Sequence, residues 1–312
     1  MLECSYENAI RSTLADEMRA NAKVLLLGAD ADGADALLAR EFGHDRVQTA
    51  PLDAITLIRL GIGAAISGYK PVVALSNLEA LTRAASSLIN DAASRSYRSI
   101  GKVSVPLVVC VACHGPSPEA FFAHVPGLLL AAPATPYDAK GLLRTTLRLE
   151  ENPVLFLEYP QLDDIKDDVP EPDYTVPFGQ AALRRSGKDV TVVTYGRLIH
   201  VALAACQQVA AEHRIEADLL DLRTLKPFDL PAILESLRKT GRVLLCSDAA
   251  CTGNFVCELA MRIQEHGFDD LDAPIRRVCA ADVPLIASAT QAIQNLPSQS
   301  QLAQAIQELV NA

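Results

Sequence analysis

The first half of the chain alternates continuous apolar runs with amphipathic stretches. The runs are VLLLGAD, KPVVAL, VPLVVCVA, GLLLAAPA and PVLFLEY. A continuous apolar run is typical of a strand that is buried on both faces of a parallel sheet. The most regular helical pattern places six apolar residues on one face, namely Leu81, Ala84, Ala85, Leu88, Ile89 and Ala92. The pattern predicts an α/β domain with a mainly parallel sheet.

The second half repeats this alternation after a change in composition. The segment PQLDDIKDDVPEPDYTVP is rich in Asp and Pro, which is typical of a linker. Beyond it lie the apolar runs DVTVVTYG, ADLLDLRTL and RVLLCSD, with helical patterns between them. We therefore predict one α/β domain over residues 1–160, a linker over 161–187 and a smaller α/β domain over 188–312.

Composition and charge narrow the classes of partner. The 312 residues carry 28 Lys and Arg against 38 Asp and Glu, a formal net charge of −10. This charge argues against nucleic acid or an anionic membrane as a partner. The start of the chain has no apolar signal segment, and the apolar runs are shorter than the roughly 18 to 20 residues that span a bilayer. We expect a cytoplasmic protein.

The stretch CVACHG has the Cys-x-x-Cys-His spacing of a haem-attachment motif. It also lies at the end of a predicted strand, where residues three apart point to opposite faces. Cys110 and Cys113 are therefore poorly placed to bind haem, zinc or each other. Cys110 is predicted to be a core thiol, and Cys113 to be more accessible. We expect neither haem nor a metal site within this chain.

His114 follows directly at the strand end, where α/β domains place groups that face a ligand. Imidazole is suited to proton transfer near neutral pH. Packing of the loop against the next helix explains a histidine here equally well. From the residues alone, both interpretations stay open.

Several longer motifs resemble one family. SPEAFFAHVPG, DAKGLL, DLRTLKPFD, KTGRVLL, TGNF and DAPIRRVCAADVP, in this order, resemble the beta subunit of the thiamine-diphosphate-dependent 2-oxo acid dehydrogenases. The branched-chain member is the most similar type, and the pyruvate type is close. The resemblance implies a transketolase-like pyrimidine-binding domain followed by a transketolase C-terminal-like domain.

The resemblance also implies partners. In this family an α2β2 heterotetramer forms, the diphosphate of the cofactor and its Mg²⁺ are held by a separate alpha subunit, and the C-terminal domain docks a dihydrolipoyl acyltransferase core. The expected cofactor is thus thiamine diphosphate, shared with an alpha chain. Our sequence contains no Gly-Asp-Gly motif followed by Asn at the spacing of the metal-diphosphate site.

Alignment of the chain with the motifs of this family assigns the candidate site residues. Several of them differ in residue type from the family. Leu52 matches the hydrophobic residue of a Thr-Pro-x-x-Glu stretch, and Ala54 falls at the glutamate that bonds the aminopyrimidine. Ala80 falls at the aromatic residue that packs on that ring, and Asp53 is a doubtful substitute for the glutamate. His114 matches the histidine that binds or protonates substrate, ten residues before His124. The family's acid-amide pair falls at Ser86 and Ser87.

Two hypotheses follow from these departures. One is an active beta subunit in oxidative decarboxylation of a 2-oxo acid, with acyl transfer to lipoyl. The other is a degenerate, non-catalytic or repurposed paralogue, which acts as a structural or regulatory partner or in another thiamine-dependent carbon–carbon bond reaction. Losing one general acid or base typically costs about 10² to 10⁴ in rate, so Ala54 does not decide between them.

Overall fold

The computed structural model describes residues 2–29, 35–49, 53–115, 119–170, 173–283 and 295–312. The chain forms two compact units. The first consists of Met1–Cys113 and Phe122–Phe178, and the second of His114–Phe121 and Gly179–Ala312. The division at Phe178 falls inside the segment that we predict as a linker.

The first unit is built from alternating strands and helices. Its strands are β1 (Leu2–Ser5), β2 (Val24–Ala29), β3 (Val47–Thr49), β4 (Lys70–Leu75), β5 (Val108–Ala112), β6 (Leu129–Ala131), β7 (Val154–Glu158) and β8 (Lys166–Val169). Its helices are α1 (Tyr6–Ala20), α2 (Ala36–Phe42), α3 (Ala54–Ile66), α4 (Leu78–Ser86), α5 (Arg95–Arg98) and α7 (Pro136–Arg148), with a π-helix at Ser87–Ala93. A short helix, α6 (Glu119–Ala123), crosses the division between the units.

Six strands of this unit form a parallel sheet in the order β6-β7-β5-β4-β2-β3. All five apolar runs of the first half supply strands to it, so the predicted parallel sheet is confirmed. One face packs against α1 and α7, with Val72, Val108 and Phe156 in the core. The pair β1–β8 is antiparallel, and β8 lies within the segment that we predict as a linker.

The second unit has its own sheet. Its strands are β9 (Ala182–Arg185), β10 (Val190–Thr194), β11 (Ala217–Asp221), β12 (Thr224–Lys226), β13 (Val243–Ala250) and β14 (Arg276–Ala280), and its helices are α8 (Leu198–His213), α9 (Leu230–Thr240), α10 (Phe255–Gly267) and α11 (Gln299–Val310). The sheet order is β14-β13-β10-β11-β9, parallel except for the edge strand β9. The prediction of a second α/β sheet is therefore confirmed.

Two local predictions need correction. Cys113 is 2 % exposed, so it is buried rather than accessible, because it follows β5 directly and its backbone N–H donates to the carbonyl of Glu158 on the neighbouring strand. The apolar face predicted from Leu81 onward is helical throughout, but its second half is the π-helix. Among the described residues, no helix has the length and apolar character that crossing a membrane requires.

Candidate functional site

A shallow pocket lies at the N-terminal ends of α3 and α4, in the first unit. Its volume is about 450 Å³, and its lining residues are Asp53, Ala54, Ile55, Asn77, Glu79, Ala80 and Arg83. The fold thus brings together three of the residues that alignment with the family identifies, although they lie at the starts of two different helices. Leu52, which alignment with the family also identifies, is outside the described residues.

Asp53 is the N-cap of α3. Its Oδ1 accepts hydrogen bonds from the backbone N–H of Ile55 (2.9 Å) and of Thr56 (3.1 Å), and its Oδ2 accepts from the Thr56 hydroxyl (2.7 Å). These bonds, with that from the Thr56 hydroxyl the strongest, lower the pKa of Asp53. Both carboxylate oxygens accept hydrogen bonds from the first turn of α3, so the side chain of Asp53 is held in place as the N-cap of this helix.

The two alanines leave the pocket without the groups of the family. Ala54 is the first residue of α3 and Ala80 lies in the first turn of α4, and both are half-buried. Asn77 caps α4 by accepting from the backbone N–H of Ala80 at 2.9 Å. Methyl groups therefore occupy the two positions at which alignment with the family predicts a carboxylate and an aromatic ring.

The pocket also contains an ion pair that the sequence analysis missed. Glu79 and Arg83 are paired across one turn of α4, and both side chains are exposed. The i, i+4 spacing of opposite charges was a signal for this pair. Glu79 is therefore the second acid of the pocket, and its pairing with Arg83 is a weak, solvent-exposed one.

The serines at the acid-amide positions have different environments. Ser86 ends α4 and is exposed, whereas Ser87 begins the π-helix and is 2 % exposed. Arg59 donates to the Ser87 hydroxyl at 3.1 Å. Ser87 therefore connects α3 to the π-helix.

His114 belongs to the second unit, although it lies only two residues after β5. Its side chain is exposed. Glu119, which follows in the same short segment, is fully buried. Its Oε1 accepts from the Tyr195 hydroxyl at 2.5 Å and from the Ser247 hydroxyl at 3.3 Å. These two bonds attach the segment that carries His114 to the second unit.

A second cavity of the first unit, of about 210 Å³, contains a perturbed carboxyl group at the end of β7. Burial raises the pKa of Glu158 to about 7, and hydrogen bonding with the Cys110 thiol opposes that rise. An ion pair between Arg11 and Asp35 lines the same cavity. Nothing in the sequence pattern distinguished this glutamate from an ordinary strand-end residue.

Metal ligation finds no support in the part of the chain that the structure describes. No group of three or more His, Cys, Asp or Glu side chains is placed there to hold a metal ion. Neither pocket therefore offers the ligand set of a typical divalent cation site.

Two domain families match this chain in order. The pyrimidine-binding domain of transketolase matches residues 3–162, and the transketolase C-terminal domain matches residues 179–300. Among solved structures, a chain described as a split-gene transketolase in an inactive beta4 tetramer has a TM-score of 0.82 at 20% identity, covering 99% of this chain and 98% of that one. A transketolase of Pichia stipitis has a TM-score of 0.69 at 13% identity, with 100% of this chain matching 46% of its length. These structures show the fold.

Relatives with higher sequence identity are more informative. The 2-oxoisovalerate dehydrogenase subunit beta of Bacillus subtilis is 39% identical over 90% of both chains. The pyruvate dehydrogenase E1 component subunit beta of Rhizobium meliloti is 34% identical over 98% of this chain and 70% of its own. The subunit beta of the acetoin:2,6-dichlorophenolindophenol oxidoreductase of Cupriavidus necator is 34% identical over 96% of both.

The cofactor that the resemblance implies fits this pocket poorly. Alignment with the family's motifs predicts a carboxylate at position 54 and an aromatic ring at position 80, and both residues are alanine. Of the two acids that line the pocket, Asp53 caps α3 and Glu79 forms an exposed ion pair with Arg83. The described pocket residues therefore lack the usual group for activating the cofactor.

That departure is local, whereas the similarity extends along both domains at up to 39% identity. The chain belongs to the thiamine-diphosphate-dependent family of 2-oxo acid dehydrogenase E1 beta subunits, which is built from transketolase-like domains.

Proposed function

We propose that this chain is the beta subunit of a heterotetrameric α2β2 enzyme that oxidatively decarboxylates a 2-oxo acid and transfers the acyl group to lipoyl. The observation that carries the proposal is the 39% identity to a 2-oxoisovalerate dehydrogenase beta subunit over 90% of both chains. An alpha chain would hold the diphosphate and Mg²⁺, and a dihydrolipoyl acyltransferase core would receive the acyl group. A cytoplasmic location is part of this proposal.

An exposed face of α3 that carries apolar as well as polar side chains supports a partner chain. Ile55, Leu60 and Ile66 are 36%, 46% and 46% exposed, and Gly63 on the same helix has open space around the position of a Cβ atom. Apolar side chains in contact with water favour burial by about 25 cal/mol per Å². A second helix can approach closely at a glycine, so this face suits docking of the alpha subunit.

Within the assembled enzyme, His114 is the proposed proton-handling residue of this chain. Thiamine diphosphate, held together with the alpha chain, would supply the electron-accepting group that decarboxylation of a 2-oxo acid requires. Imidazole exchanges protons near neutral pH, and the buried bonds of Glu119 hold the segment that carries it. His114 therefore would position and protonate substrate oxygen.

The pocket supports the alternative function of a degenerate or repurposed paralogue. Ala54 and Ala80 remove an acid and a ring, and Asp53 is held by its helix. Such a subunit would assemble with an alpha-type chain but would have lost the standard activity.

One experiment distinguishes the two functions. The chain is co-expressed and co-purified with alpha-type chains of 2-oxo acid dehydrogenases, then supplied with Mg²⁺, thiamine diphosphate and a panel of branched and linear 2-oxo acids. The proposal predicts a stable α2β2 complex that releases CO₂ from one of these acids. Assembly without CO₂ release would favour the paralogue, and failure to bind any alpha chain would contradict both.

A further inference from the structure

The cavity that contains Glu158 has no part in the proposed function. It lies on the face of the sheet that packs against α1 and α7, where Leu26 and Val72 line it. The next residues of the same strands, Leu27 and Val73, lie beside α3 at Gly61. Because successive strand residues point to opposite faces, the sheet separates this cavity from α3, whose N-terminal end lines the shallow pocket.

The cavity is at the carboxyl ends of the parallel strands. Ala112 and Glu158 are the last residues of β5 and β7, and Ala74 is next to the last residue of β4. Open α/β sheets bind ligands outside this edge. An apolar cavity of about 150 Å³ holds one benzene molecule, so a volume of about 210 Å³ admits an apolar body of about four to seven carbon atoms.

The lining combines an apolar wall with acidic groups. The wall consists of Ile10, Leu14, Leu26, Val72, Ala74 and Leu143. Four carboxyl groups also line the cavity, those of Glu7, Asp35, Glu158 and Asp163, and Arg11 is the basic residue among the lining residues that the structure describes. The lining therefore carries more acid than base.

Arg11 is paired with two of these acids. Its Nε donates to the Glu7 carboxylate at 3.1 Å, and its Nη1 forms an ion pair with Asp35. Burial raises the pKa of Glu158 to about 7, and the charges of Asp35 and Asp163 act in the same direction, while the charge of Arg11 opposes the rise. A further positive charge inside the cavity would favour the ionised form of Glu158.

We propose that this cavity binds a small organic cation, a primary alkylammonium ion. The ammonium group donates to the carboxylate of Glu158, and the alkyl body lies against Leu14 and Leu143. Such a ligand matches both parts of the lining, since binding sites combine apolar walls with a few placed polar groups. A bare metal ion matches neither, because the described part of the chain has no group of three His, Cys, Asp or Glu placed to hold one.

The proposal makes binding depend on pH. Alkylammonium ions keep their charge below about pH 10, as lysine does, so the ligand itself is unchanged between pH 6 and pH 8. The ionised fraction of Glu158 rises about tenfold over this range. The other titratable or charged groups that line the cavity are Glu7, Arg11, Asp35, Cys110 and Asp163. We expect isobutylammonium to bind about tenfold more tightly at pH 8 than at pH 6.

The test is NMR of the full-length chain, labelled with ¹³C at the methyl groups of Ile, Leu and Val and titrated with isobutylammonium chloride. We expect saturable shifts of the Ile10, Leu14 and Leu143 signals at pH 8, with a Kd on the order of 1 mM for so small a ligand. Isobutanol has the same alkyl body without the charge, and it should bind at least about tenfold more weakly.

Two variants assign the carboxylate. E158Q keeps the shape of the side chain and removes its charge, so it should weaken binding at least about tenfold and abolish the pH dependence. E235Q is the matched control, because Glu235 is an exposed glutamate on α9 in the second unit, and it should bind like the wild type. The pH series and the comparison with isobutanol use the wild-type chain, so they test the proposal even if E158Q does not fold.

Three results would overturn the proposal. They are shifts that do not saturate at the cavity methyl groups, isobutanol binding as tightly as isobutylammonium, and a folded E158Q that binds like the wild type. None of these measurements involves the alpha subunit or decarboxylation, so failure here leaves the proposed function to its own test.

Discussion

At the scale of single residues, alignment with the family's motifs predicts that His114 is the family's histidine, and it finds alanines where it predicts an acid and a ring. The acid and ring positions fall on Ala54 and Ala80, which the fold brings into one pocket. Asp53 is adjacent in sequence, but its oxygens cap α3. A single position along a helix changes the direction of a side chain by about 100°, so adjacency does not supply a substitute.

Replacement of His114 tests the role of the retained histidine. We expect H114N to lower 2-oxo acid decarboxylation by about 10² to 10⁴ in the assembled enzyme, because it removes a proton-transfer group. Steady-state CO₂ release measures the effect. H124N is the matched control, since His124 is an exposed histidine ten residues further on. Equal losses in the two variants would contradict the assignment.

At the scale of elements, the sequence identified the buried parallel strands and the main helices, because burial on both faces leaves a continuous apolar run. It did not reveal β1, β3, β8, β9 and β14, whose partly exposed residues give no such run. The assignment of residues 114–121 to the second unit was also invisible. Glu119 in this segment is hydrogen bonded to residues 76 and 128 positions away, and no local pattern encodes such contacts.

Tyr195 tests how the segment that carries His114 is held. Y195F removes the hydroxyl that donates to the buried Glu119 carboxylate, and we expect unfolding to become easier by about 1 to 3 kcal/mol. Urea unfolding measures the stability. Y69F, at an exposed tyrosine, is the control and should change stability little. An unaltered Y195F would show that the bond does not anchor this segment.

Glu158 gives the first unit a specific pH dependence. Its folded pKa of about 7 lies above its ordinary value, so the folded state binds the proton more tightly than the unfolded state. Its contribution is fully present below about pH 4.5 and is lost as the pH rises through 7. In urea titrations, the free energy of unfolding should fall by about 2 kcal/mol between these pH values.

The matched control for that dependence is E158Q, which is neutral at every pH. The free energy of unfolding of E158Q should change less than that of the wild type between pH 4.5 and 7.5. If the two proteins lose the same stability over this range, another group titrates and the assignment to Glu158 is wrong.

At the scale of the whole molecule, both domains and their order were predictable from motifs spread along the chain. The exposure of the apolar residues Ile55, Leu60 and Ile66 was not predictable, because they look like ordinary helix residues until the fold shows which side of α3 faces solvent.

The exposed face of α3 can be tested by charge. We expect L60E to weaken assembly with the alpha subunit by at least about tenfold, because a carboxylate must be desolvated in an apolar interface. Analytical ultracentrifugation or co-purification measures complex formation. M261E is the control at an exposed apolar position of the second unit, and it should assemble normally. Normal assembly of L60E would exclude this face as the interface.

The central claim is that this chain is a beta subunit working with thiamine diphosphate, although its pocket lacks the activating acid. The most direct measurement is exchange of the thiazolium C2 proton by NMR in the complex with alpha chain, Mg²⁺ and thiamine diphosphate. We predict exchange faster than in the free cofactor, a further increase of about 10² or more in A54E, and no such increase in A54Q. Exchange at the free-cofactor rate in both the wild type and A54E, within an intact complex, would contradict the claim.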